Sequence, residues 1–288
     1  MTQALQLDLG RPDDAVGRLI ALALEEDVGP GDRTAQAVVP VGARGSGLIF
    51  AKEELVVSGV AAAARVFRAL DPDCALEPLR GEGELAGPGE GVLRVRGSLR
   101  AILSGERTAL NFLQRLCGIA TLTRKYAQAL LGTKTRLLDT RKTTPGLREL
   151  EKAAVRAGGG LNHRAGLFDG LLVKDNHAAA AGGIGEAVRR ARAHAHPLLR
   201  VEAEVGSPQQ IEEALQAGAD MLLLDNLDDP ELMAAVRQVH GRVPLEASGG
   251  MTLERLSRVA ATGVDYVSVG ALTHSAPSVD LSLMMEGA

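Results

Sequence analysis

A cluster of basic side chains lies between Leu137 and His177. It is spread over two short apolar runs, LLDTRKTTPG at 137–146 and GLLVKDNH at 170–177, and the segment between them. In both runs the cations follow the hydrophobic residues, as expected where a buried strand ends at the rim of a sheet. Because the whole chain has a net charge of −4, the positive charge is local and predicts a cleft for a small polyanion. The clustered cations are Arg141, Lys142, His163, Arg164, Lys174 and His177.

Carboxylates follow two of the later apolar runs. Glu204 lies near the end of LLRVEAEV at 198–205, and Asp225 lies near the end of DMLLLDN at 220–226. Carboxylate oxygens combined with substrate phosphates are the usual surroundings of Mg²⁺. The pair therefore predicts a magnesium site or contacts to sugar hydroxyls, and structural salt bridges to the basic cluster are an equal alternative.

A glycine-rich segment, ASGGMTLERL at 247–256, precedes a predicted helix. Backbone N–H groups at the start of a helix bind phosphate, and α/β barrels often place their phosphate site in the last loops between strand and helix. Tight turns use the same residues, but the position late in the chain favours the phosphate interpretation. SVGAL at 268–272 supplies a second loop of small residues.

The composition argues against several classes of protein. Aromatic residues make up 2% of the 288 residues, which removes the stacking platform of single-stranded nucleic-acid binders. The net charge of −4 argues against non-specific binding to nucleic acid. Cys74 and Cys117 have no metal-ligand spacing and are predicted to be buried, reduced thiols. Since no apolar run approaches membrane-spanning length and the start does not resemble a signal peptide, the predicted location is the cytoplasm, away from membranes.

The two halves of the chain differ in pattern. The first predicts a helix at 12–30, short β-runs at 45–59 and 76–98, and a helical stretch at 102–132. From 136 onward, apolar runs alternate with helical segments, which is typical of parallel strands covered by helices. The short spacing of the last units predicts a compact barrel, either open or completed by a segment near Ile119–Thr123. The six runs are 136–142, 170–176, 198–205, 220–226, 243–250 and 265–270.

In such a barrel the active site lies at the carboxyl ends of the strands. Arg141 and Arg164 suit bidentate binding of carboxylates. Lys142 and Lys174 also allow a Schiff-base mechanism, although their polar surroundings favour charge recognition. Two helix starts are predicted from a cap followed by proline, at Ser207 and at Asp229. The other polar residues at strand ends include Asp139, Glu202, Asn226, Glu246, Ser248 and Ser268.

The sequence TRKTTPGLRELEKAAVRAGGGLNHRAGLFDGLLVKDNH at 140–177 closely resembles the quinolinate phosphoribosyltransferase family. The similarity covers nearly the whole chain, and its motifs are long and specific. It continues in EDVGPGDRTA (26–35), GERTALNFLQRLCGIAT (105–121), VEAEV (201–205), LLLDN (222–226), EASGG (246–250) and SVGAL (268–272).

The resemblance implies an α/β fold, with an N-terminal α/β sandwich domain and an open seven-stranded α/β barrel. The corresponding boundaries are 1–115 for the sandwich, 116–271 for the catalytic barrel, and 272–288 for a tail packing back on the N-terminal domain. It also implies a homodimer that uses Mg²⁺. The implied reaction combines quinolinate with phosphoribosyl pyrophosphate and gives nicotinate mononucleotide, pyrophosphate and carbon dioxide.

The resemblance further implies roles for individual residues. Catalytic roles fall to Lys142, Lys174, Glu204 and Asp225, and the metal ligands are Glu204 and Asp225. The carboxylates of quinolinate would be held by Arg107, Arg141, His163, Arg164 and Lys174, with Arg107 supplied by the partner subunit. The phosphoribosyl side would use Lys142, Ser248, Gly249, Gly250 and Gly270, and the remaining substrate contacts are Thr140, Val269 and Ala271.

Three other functions stay open on the sequence. The chain fits a nicotinate phosphoribosyltransferase, or a paralogue acting on another planar acid. It also fits a Schiff-base barrel aldolase and a phosphosugar-binding protein without catalysis. The abundance of cations favours quinolinate, because two carboxylates require more positive charge than one.

Overall fold

The computed structural model describes residues 10, 11 and 13–287. The chain divides into two compact units. One contains Met1–Arg124, Thr143–Gly159 and Thr273–Ala288, and the other contains Lys125–Lys142 and Gly160–Leu272. The sequence boundaries 1–115, 116–271 and 272–288 stay predictions, and residues 1–9, 12 and 288 lie outside the described residues.

The first unit is built on an antiparallel sheet. Its described strands pair in the order β12-β1-β5-β3, and β2 pairs with β4 in a separate two-stranded sheet. Helix α1 starts where the Asp14 carboxylate accepts a hydrogen bond from Gly17 N at 2.7 Å, a side-chain cap of the first turn. The elements are α1 (Ala15–Asp27), α2 (Arg33–Val38), β1 (Arg44–Ala51), β2 (Leu55–Val56), α3 (Val60–Leu70), β3 (Ala75–Pro78), β4 (Leu85–Ala86), β5 (Gly91–Ser98), α4 (Leu99–Ala129) as far as Arg124, α5 (Arg148–Ala157) and β12 (Leu281–Glu286).

The second unit is built on a parallel sheet, as the alternation of apolar runs and helical segments predicted. Its six strands pair in the order β6-β11-β10-β9-β8-β7, and each lies within one of the six predicted runs. The strands are β6 (Arg136–Leu138), β7 (Leu171–Val173), β8 (Val201–Val205), β9 (Met221–Asp225), β10 (Leu245–Ser248) and β11 (Tyr266–Ser268). The helices are α6 (Asp175–Ala181), α7 (Ile184–His194), α8 (Pro208–Gln216), α9 (Asp229–Val239) and α10 (Leu253–Ala261), with the short α11 (Ala271–His274) after β11.

A seventh position in this sheet comes from Leu161, which forms an isolated parallel bridge with Leu138 of β6. The alternative prediction, in which Ile119–Thr123 completes the sheet, is wrong, since this segment lies inside α4. Its side chains continue the helical spacing of buried residues that begins at Leu116. Among the described residues no backbone pairing joins Leu161 to β7, so the sheet stays open, as expected.

Side chains cap the helices that follow β8 and β9. Ser207 caps α8 as predicted, because its hydroxyl accepts a hydrogen bond from Gln210 N at 3.3 Å. The prediction for α9 was wrong by one residue: the cap is Asp228, which accepts from Glu231 N at 2.8 Å. Asp229 instead lies in the first turn and pairs with Arg255 at 3.2 Å.

Cys74 and Cys117 are both buried and free, as predicted. Burial raises the pKa of the Cys117 thiol to about 12, so it stays protonated and unreactive. No helix in the described part of the chain is both long and apolar enough to cross a bilayer.

Candidate active site

The carboxyl ends of the parallel strands enclose a cleft of about 550 Å³. Because parallel strands all end at the same edge of their sheet, residues distant in sequence meet there. The cleft gathers most of the residues that the sequence singled out. It is lined by Thr140, Arg141, Lys142, His163, Arg164, Leu172, Lys174, Glu204, Leu223, Asp225, Asn226, Glu246, Ser248, Gly249, Gly250 and Ser268.

Two guanidinium groups, those of Arg141 and Arg164, lie in the wall of the cleft. Partial burial lowers the pKa of Arg164, and the positive charge of Arg141 lowers it further. Arg164 Nη1 also donates a hydrogen bond to Gly170 O at 3.1 Å, which fixes the direction of this side chain. The two guanidinium groups repel each other, and an anion bound between them would offset that repulsion. A carboxylate suits this place because it accepts two hydrogen bonds from one guanidinium.

Lys174, which follows β7, pairs with Glu204 of the neighbouring strand β8 in the wall of the cleft. The distance from Lys174 Nζ to Glu204 Oε2 is 2.8 Å, with the lysine side chain 47% exposed and the glutamate 13% exposed. Lys174 N donates to His177 Nδ1 at 2.9 Å, so His177 caps the start of α6. The pair places one cation and one carboxylate at the same point of the cleft wall.

The glycine-rich loop after β10 packs against the end of β9. Asn226 N donates to Ser248 O at 2.9 Å, and Asn226 Nδ2 donates to Asp225 Oδ2 at 2.7 Å. Gly249 has φ of +92°, and a Cβ there would lie 2.1 Å from Asn226 Oδ1. Only glycine fits this position, because any side chain would collide with the neighbouring loop. The close approach leaves backbone groups at the cleft surface, as a phosphate site requires.

His163 is oriented from behind by the fully buried Asp139. His163 N donates to Asp139 Oδ1 at 2.8 Å, and Asn162 Nδ2 donates to Asp139 Oδ2 at 2.7 Å. Asp139 therefore fixes the backbone that carries both His163 and Arg164 into the cleft. The sequence placed Asp139 at a strand end but assigned it no role.

The imidazole of His163 meets two buried carboxyl groups below the cleft. His163 Nε2 lies 3.0 Å from Glu202 Oε2 and 3.6 Å from Glu246 Oε2. Sequence reasoning assigned these glutamates no function. The alternation in VEAEV held a signal, since Glu202 and Glu204 must face the same side of β8.

The remaining predicted residues lie elsewhere in the structure. Arg107 is an exposed residue of α4 in the first unit, and its contribution to a partner's site stays a prediction. Val269 is buried, and its N–H donates to Leu138 O at 3.0 Å. Gly270 and Ala271 follow directly at the start of α11. None of these four residues lines the cleft, so the roles predicted for them stay predictions.

A parallel sheet with a cation-lined cleft at its carboxyl edge, opposing carboxylates and a glycine loop defines an α/β enzyme for anionic, phosphate-bearing substrates. Comparison with known proteins gives the family. The profile "Quinolinate phosphoribosyl transferase, C-terminal domain" matches residues 119–284, and the corresponding N-terminal domain profile matches 32–117. The chain belongs to the quinolinate phosphoribosyltransferase family.

Individual relatives agree with this assignment. The chain is 43% identical over 258 residues to a probable nicotinate-nucleotide pyrophosphorylase [carboxylating] of Bacillus subtilis, covering 90% of this chain and 89% of that one. It is 38% identical over 287 residues to quinolinate phosphoribosyltransferase [decarboxylating] 2, mitochondrial, of Nicotiana glauca, covering 93% and 81%. The crystal structure of NadC from Streptococcus pyogenes superposes with a TM-score of 0.90 at 40% identity, covering 97% of this chain and 99% of that chain.

Proposed function

We propose that this protein transfers the phosphoribosyl group of phosphoribosyl pyrophosphate to quinolinate and releases carbon dioxide. The products are nicotinate mononucleotide and pyrophosphate. The observation that carries this proposal is the division of one cleft. Arg141 and Arg164 lie among its cations, whereas Asp225 and the loop at Ser248–Gly250 supply a carboxylate and backbone groups. A dianionic acid fits the first side, and a sugar phosphate fits the second.

The chain's own residues act by positioning and by electrostatics. The cations align the pyridine nitrogen of quinolinate with the anomeric carbon of the ribose, and bond formation there accompanies loss of pyrophosphate. The ribose gains positive charge as pyrophosphate departs, and the Glu204 and Asp225 carboxylates favour that charge. The glycosylated pyridine nitrogen is cationic, so its ring accepts the electron pair left when the adjacent carboxylate departs as carbon dioxide. A proton then replaces that carboxylate on the ring carbon.

The carboxylates in the cleft fit a magnesium ion. Glu204 and Asp225 offer hard oxygen donors that line the same cavity, and Mg²⁺ typically takes one or two carboxylates with substrate phosphates filling other positions. When bound, Mg²⁺ would neutralise negative charge on the pyrophosphate leaving group. We therefore include Mg²⁺ in the proposal, with these two residues as its protein ligands.

We further propose that the enzyme is a cytoplasmic homodimer, in which Arg107 reaches the active site of the partner subunit. Support for the dimer comes from the family resemblance of GERTALNFLQRLCGIAT at 105–121. Arg107 is exposed on α4, so its guanidinium is accessible for such a contact.

The alternative functions are less well supported by the geometry. A Schiff-base lysine works best when it is desolvated, whereas Lys174 is 47% exposed and pairs with Glu204. Nicotinate carries one carboxylate, and the combination of Arg141, Arg164 and Lys174 supplies more positive charge than it needs. Borohydride trapping of a substrate on Lys142 or Lys174 would instead support the aldolase.

The first prediction tests the reaction. With quinolinate labelled with ¹⁴C in the carboxyl group beside the nitrogen, we expect release of ¹⁴CO₂ that depends on phosphoribosyl pyrophosphate, because decarboxylation follows glycosylation of the ring. Trapped radioactivity and chromatography of nicotinate mononucleotide measure it. Omission of phosphoribosyl pyrophosphate is the control. Efficient use of nicotinate with no release from quinolinate, or ligand binding without turnover, would refute the proposal.

The second prediction tests the shared site. Arg107→Ala and Lys174→Ala homodimers should each be nearly inactive, since one removes a cation supplied by the partner and the other a cation of the subunit's own cleft. Random mixing makes half of the dimers mixed, each with one intact site, so about a quarter of wild-type activity should return. Subunits are exchanged in mild denaturant and assayed after dilution.

The control for this mixing experiment is a mixture of Arg141→Ala and Lys174→Ala subunits. Both residues line the cleft of their own subunit, so each mixed dimer has one defect in each of its two clefts and no intact site. This mixture should therefore stay nearly inactive. No recovery with Arg107→Ala would place Arg107 in its own subunit's site or outside any site.

A further inference from the structure

Three side chains form a buried cluster beneath the cleft: His163, Glu202 and Glu246. Each offers a ligand-type atom, and these atoms all lie within 4.8 Å of one another. Glu246 is fully buried and Glu202 is 7% exposed. The cluster borders the cleft on one side, and a second cavity of about 220 Å³ opens on its other side, where all three residues also line the wall.

The carboxyl oxygens of this cluster are poorly satisfied. Within the described part of the chain, neither oxygen of Glu246 nor Oε1 of Glu202 has a hydrogen bond of ordinary distance and angle, and the Ser268 hydroxyl is the nearby group that favours the ionised form of Glu246. Two buried carboxylates at this distance would repel each other in a medium that solvates them poorly. A proton bound to one of the two carboxyl groups removes the repulsion between them. The resulting O–H group can also donate a hydrogen bond to a carboxyl oxygen that otherwise lacks one. Burial, and then the negative charge of Glu202, raise the pKa of Glu246 to about 8.

The groups that face Glu246 come from several elements. Glu202 of β8 raises its pKa, whereas His163, the Ser268 hydroxyl of β11 and Lys174 after β7 lower it. In the strand register Glu246 lies beside Leu223 of β9 and Tyr266 of β11. The apolar side chain of Leu223 adds to the desolvation. The pKa of Glu246 is raised overall, because burial and the charge of Glu202 outweigh the three groups that stabilise the ionised carboxylate.

His163 connects the buried carboxyl groups to the cleft. Its Nδ1 accepts a hydrogen bond from Arg164 N at 2.7 Å, and a nitrogen that accepts carries no proton. The ring proton therefore resides on Nε2, which points at Glu202 and Glu246. Both ring nitrogens thus have partners inside the chain, and the imidazole fixes the backbone from which Arg164 extends.

We propose that Glu246 is a positioning residue whose neutral carboxyl group, together with Glu202, holds His163 and the adjoining Arg164 in place for binding quinolinate. The inference rests on the proposed function for the identity of the acid. When Glu246 loses its proton, a second buried negative charge lies beneath the dianion and pulls the imidazole Nε2–H towards itself. Quinolinate then binds more weakly, while the ribose-phosphate side of the cleft is much less affected.

The third prediction is the pH dependence of the Michaelis constants in the wild type and in Glu246→Gln. In the wild type we expect the KM for quinolinate to rise by up to about tenfold for each pH unit above the pKa of Glu246. In Glu246→Gln, whose amide resembles the neutral acid in shape and charge, that rise should disappear while kcat stays close to the wild-type value. The KM for phosphoribosyl pyrophosphate serves as the internal reference, and exposed Glu149→Gln is the matched control.

A second variant keeps the test sharp if Glu246→Gln fails to fold. Glu202→Gln removes the charge that raises the pKa of Glu246, so the rise in KM should move to lower pH. A rise that persists unchanged in Glu246→Gln, or that does not move in Glu202→Gln, would overturn the proposal. Equal changes in both Michaelis constants would show a general structural effect instead of positioning for the acid.

Two spectroscopic measurements are independent of the reaction. Infrared spectra at neutral pH should show a protonated carboxyl band in the wild type that is missing in Glu246→Gln. The nitrogen NMR signals of the His163 ring should shift as Glu246 titrates in the wild type and stay constant over that range in Glu246→Gln. If both spectroscopic results are obtained but quinolinate is not consumed, the proposed function is wrong, whereas the protonation of Glu246 and its coupling to His163 remain supported.

The donor set of the cluster is also one that a zinc ion accepts. Because the positioning proposal keeps Glu246 protonated, Zn²⁺ titrated into the chelator-treated wild type should nevertheless show no stoichiometric binding that depends on Glu246. If one equivalent binds tightly and the binding is lost in Glu246→Gln, the cluster is a metal site, and the positioning proposal is wrong.

Discussion

Glu151→Ala should lower the free energy of unfolding by about 3 to 5 kcal/mol, the cost of leaving one partner of a buried ion pair alone. Glu151 is fully buried on α5, and its Oε1 accepts from Arg115 Nε at 3.1 Å and Nη2 at 3.0 Å. The same carboxylate accepts from Thr144 Oγ1 at 2.8 Å and from Thr144 N at 3.1 Å. Removing it leaves the hydroxyl and the backbone N–H of Thr144 without their acceptor and the Arg115 guanidinium without its carboxylate partner.

The measurement is urea unfolding followed by circular dichroism, with linear extrapolation to water. Arg115 also donates to the carbonyl oxygens of Thr273 and Ala276. Arg115→Ala therefore removes these two hydrogen bonds as well as the ion pair with Glu151. A double-mutant cycle of the two substitutions isolates the pair itself. Glu149→Ala, an exposed position on the same helix, should change stability by no more than about 0.5 kcal/mol. A loss for Glu151→Ala as small as that of the control would contradict the prediction.

This ion pair shows why local sequence could not predict the anchoring of the loop after Lys142. Thr144 lies within the basic motif TRKTTPG at 140–146, and its partner Glu151 is only seven positions away. Arg115, however, comes from α4, and nothing in its surroundings along the chain distinguishes it from the other arginines of that helix. The contact depends on how distant segments of the first unit pack, which the sequence pattern does not encode locally.

The parallel sheet was predictable because its signal is local. Each strand is a short run of buried aliphatic residues followed by polar groups, and strand ends must meet at one edge. The positions of Lys174, Glu204 and Asp225 follow from that rule without any further knowledge. Residue-level detail was less predictable: Asp228 and Asp229 are both good caps, and the choice between them depends on Arg255, which binds Asp229.

The buried cluster lay beyond sequence reasoning for a different reason. A glutamate within a strand is usually assigned to the surface. Glu202 shares the alternating run VEAEV with Glu204, and Glu246 interrupts the apolar run VPLEA, so neither pattern marks its glutamate as buried. Their meaning appears only when three segments bring them together with His163. The assignment of His163 to quinolinate binding came from the family resemblance, and the structure adds the contacts that hold its ring.

The same cluster gives the largest expected effect of pH on stability. Burial, followed by the charge of Glu202, raises the pKa of Glu246 from 4.5 to about 8. Between these values the folded chain keeps a proton that the unfolded chain has lost. The free energy of unfolding therefore falls as pH rises through this interval, by about 1.4 kcal/mol per pH unit from this group. Below 4.5 the group imposes no penalty, and above about 8 the penalty is complete.

Glu246→Gln cannot ionise and should lose this contribution, so the difference in unfolding free energy between the variant and the wild type should grow with pH and then level off. Both tyrosines, Tyr126 and Tyr266, lie in the second unit, and the chain has no tryptophan. Tyrosine fluorescence during urea unfolding at a series of pH values therefore reports on the unit that contains Glu246. The free energy of unfolding of Glu149→Gln should change with pH in parallel with that of the wild type. Parallel curves for Glu246→Gln as well would mean that Glu246 is already ionised in the folded protein at neutral pH, because only a proton retained on folding produces the divergence.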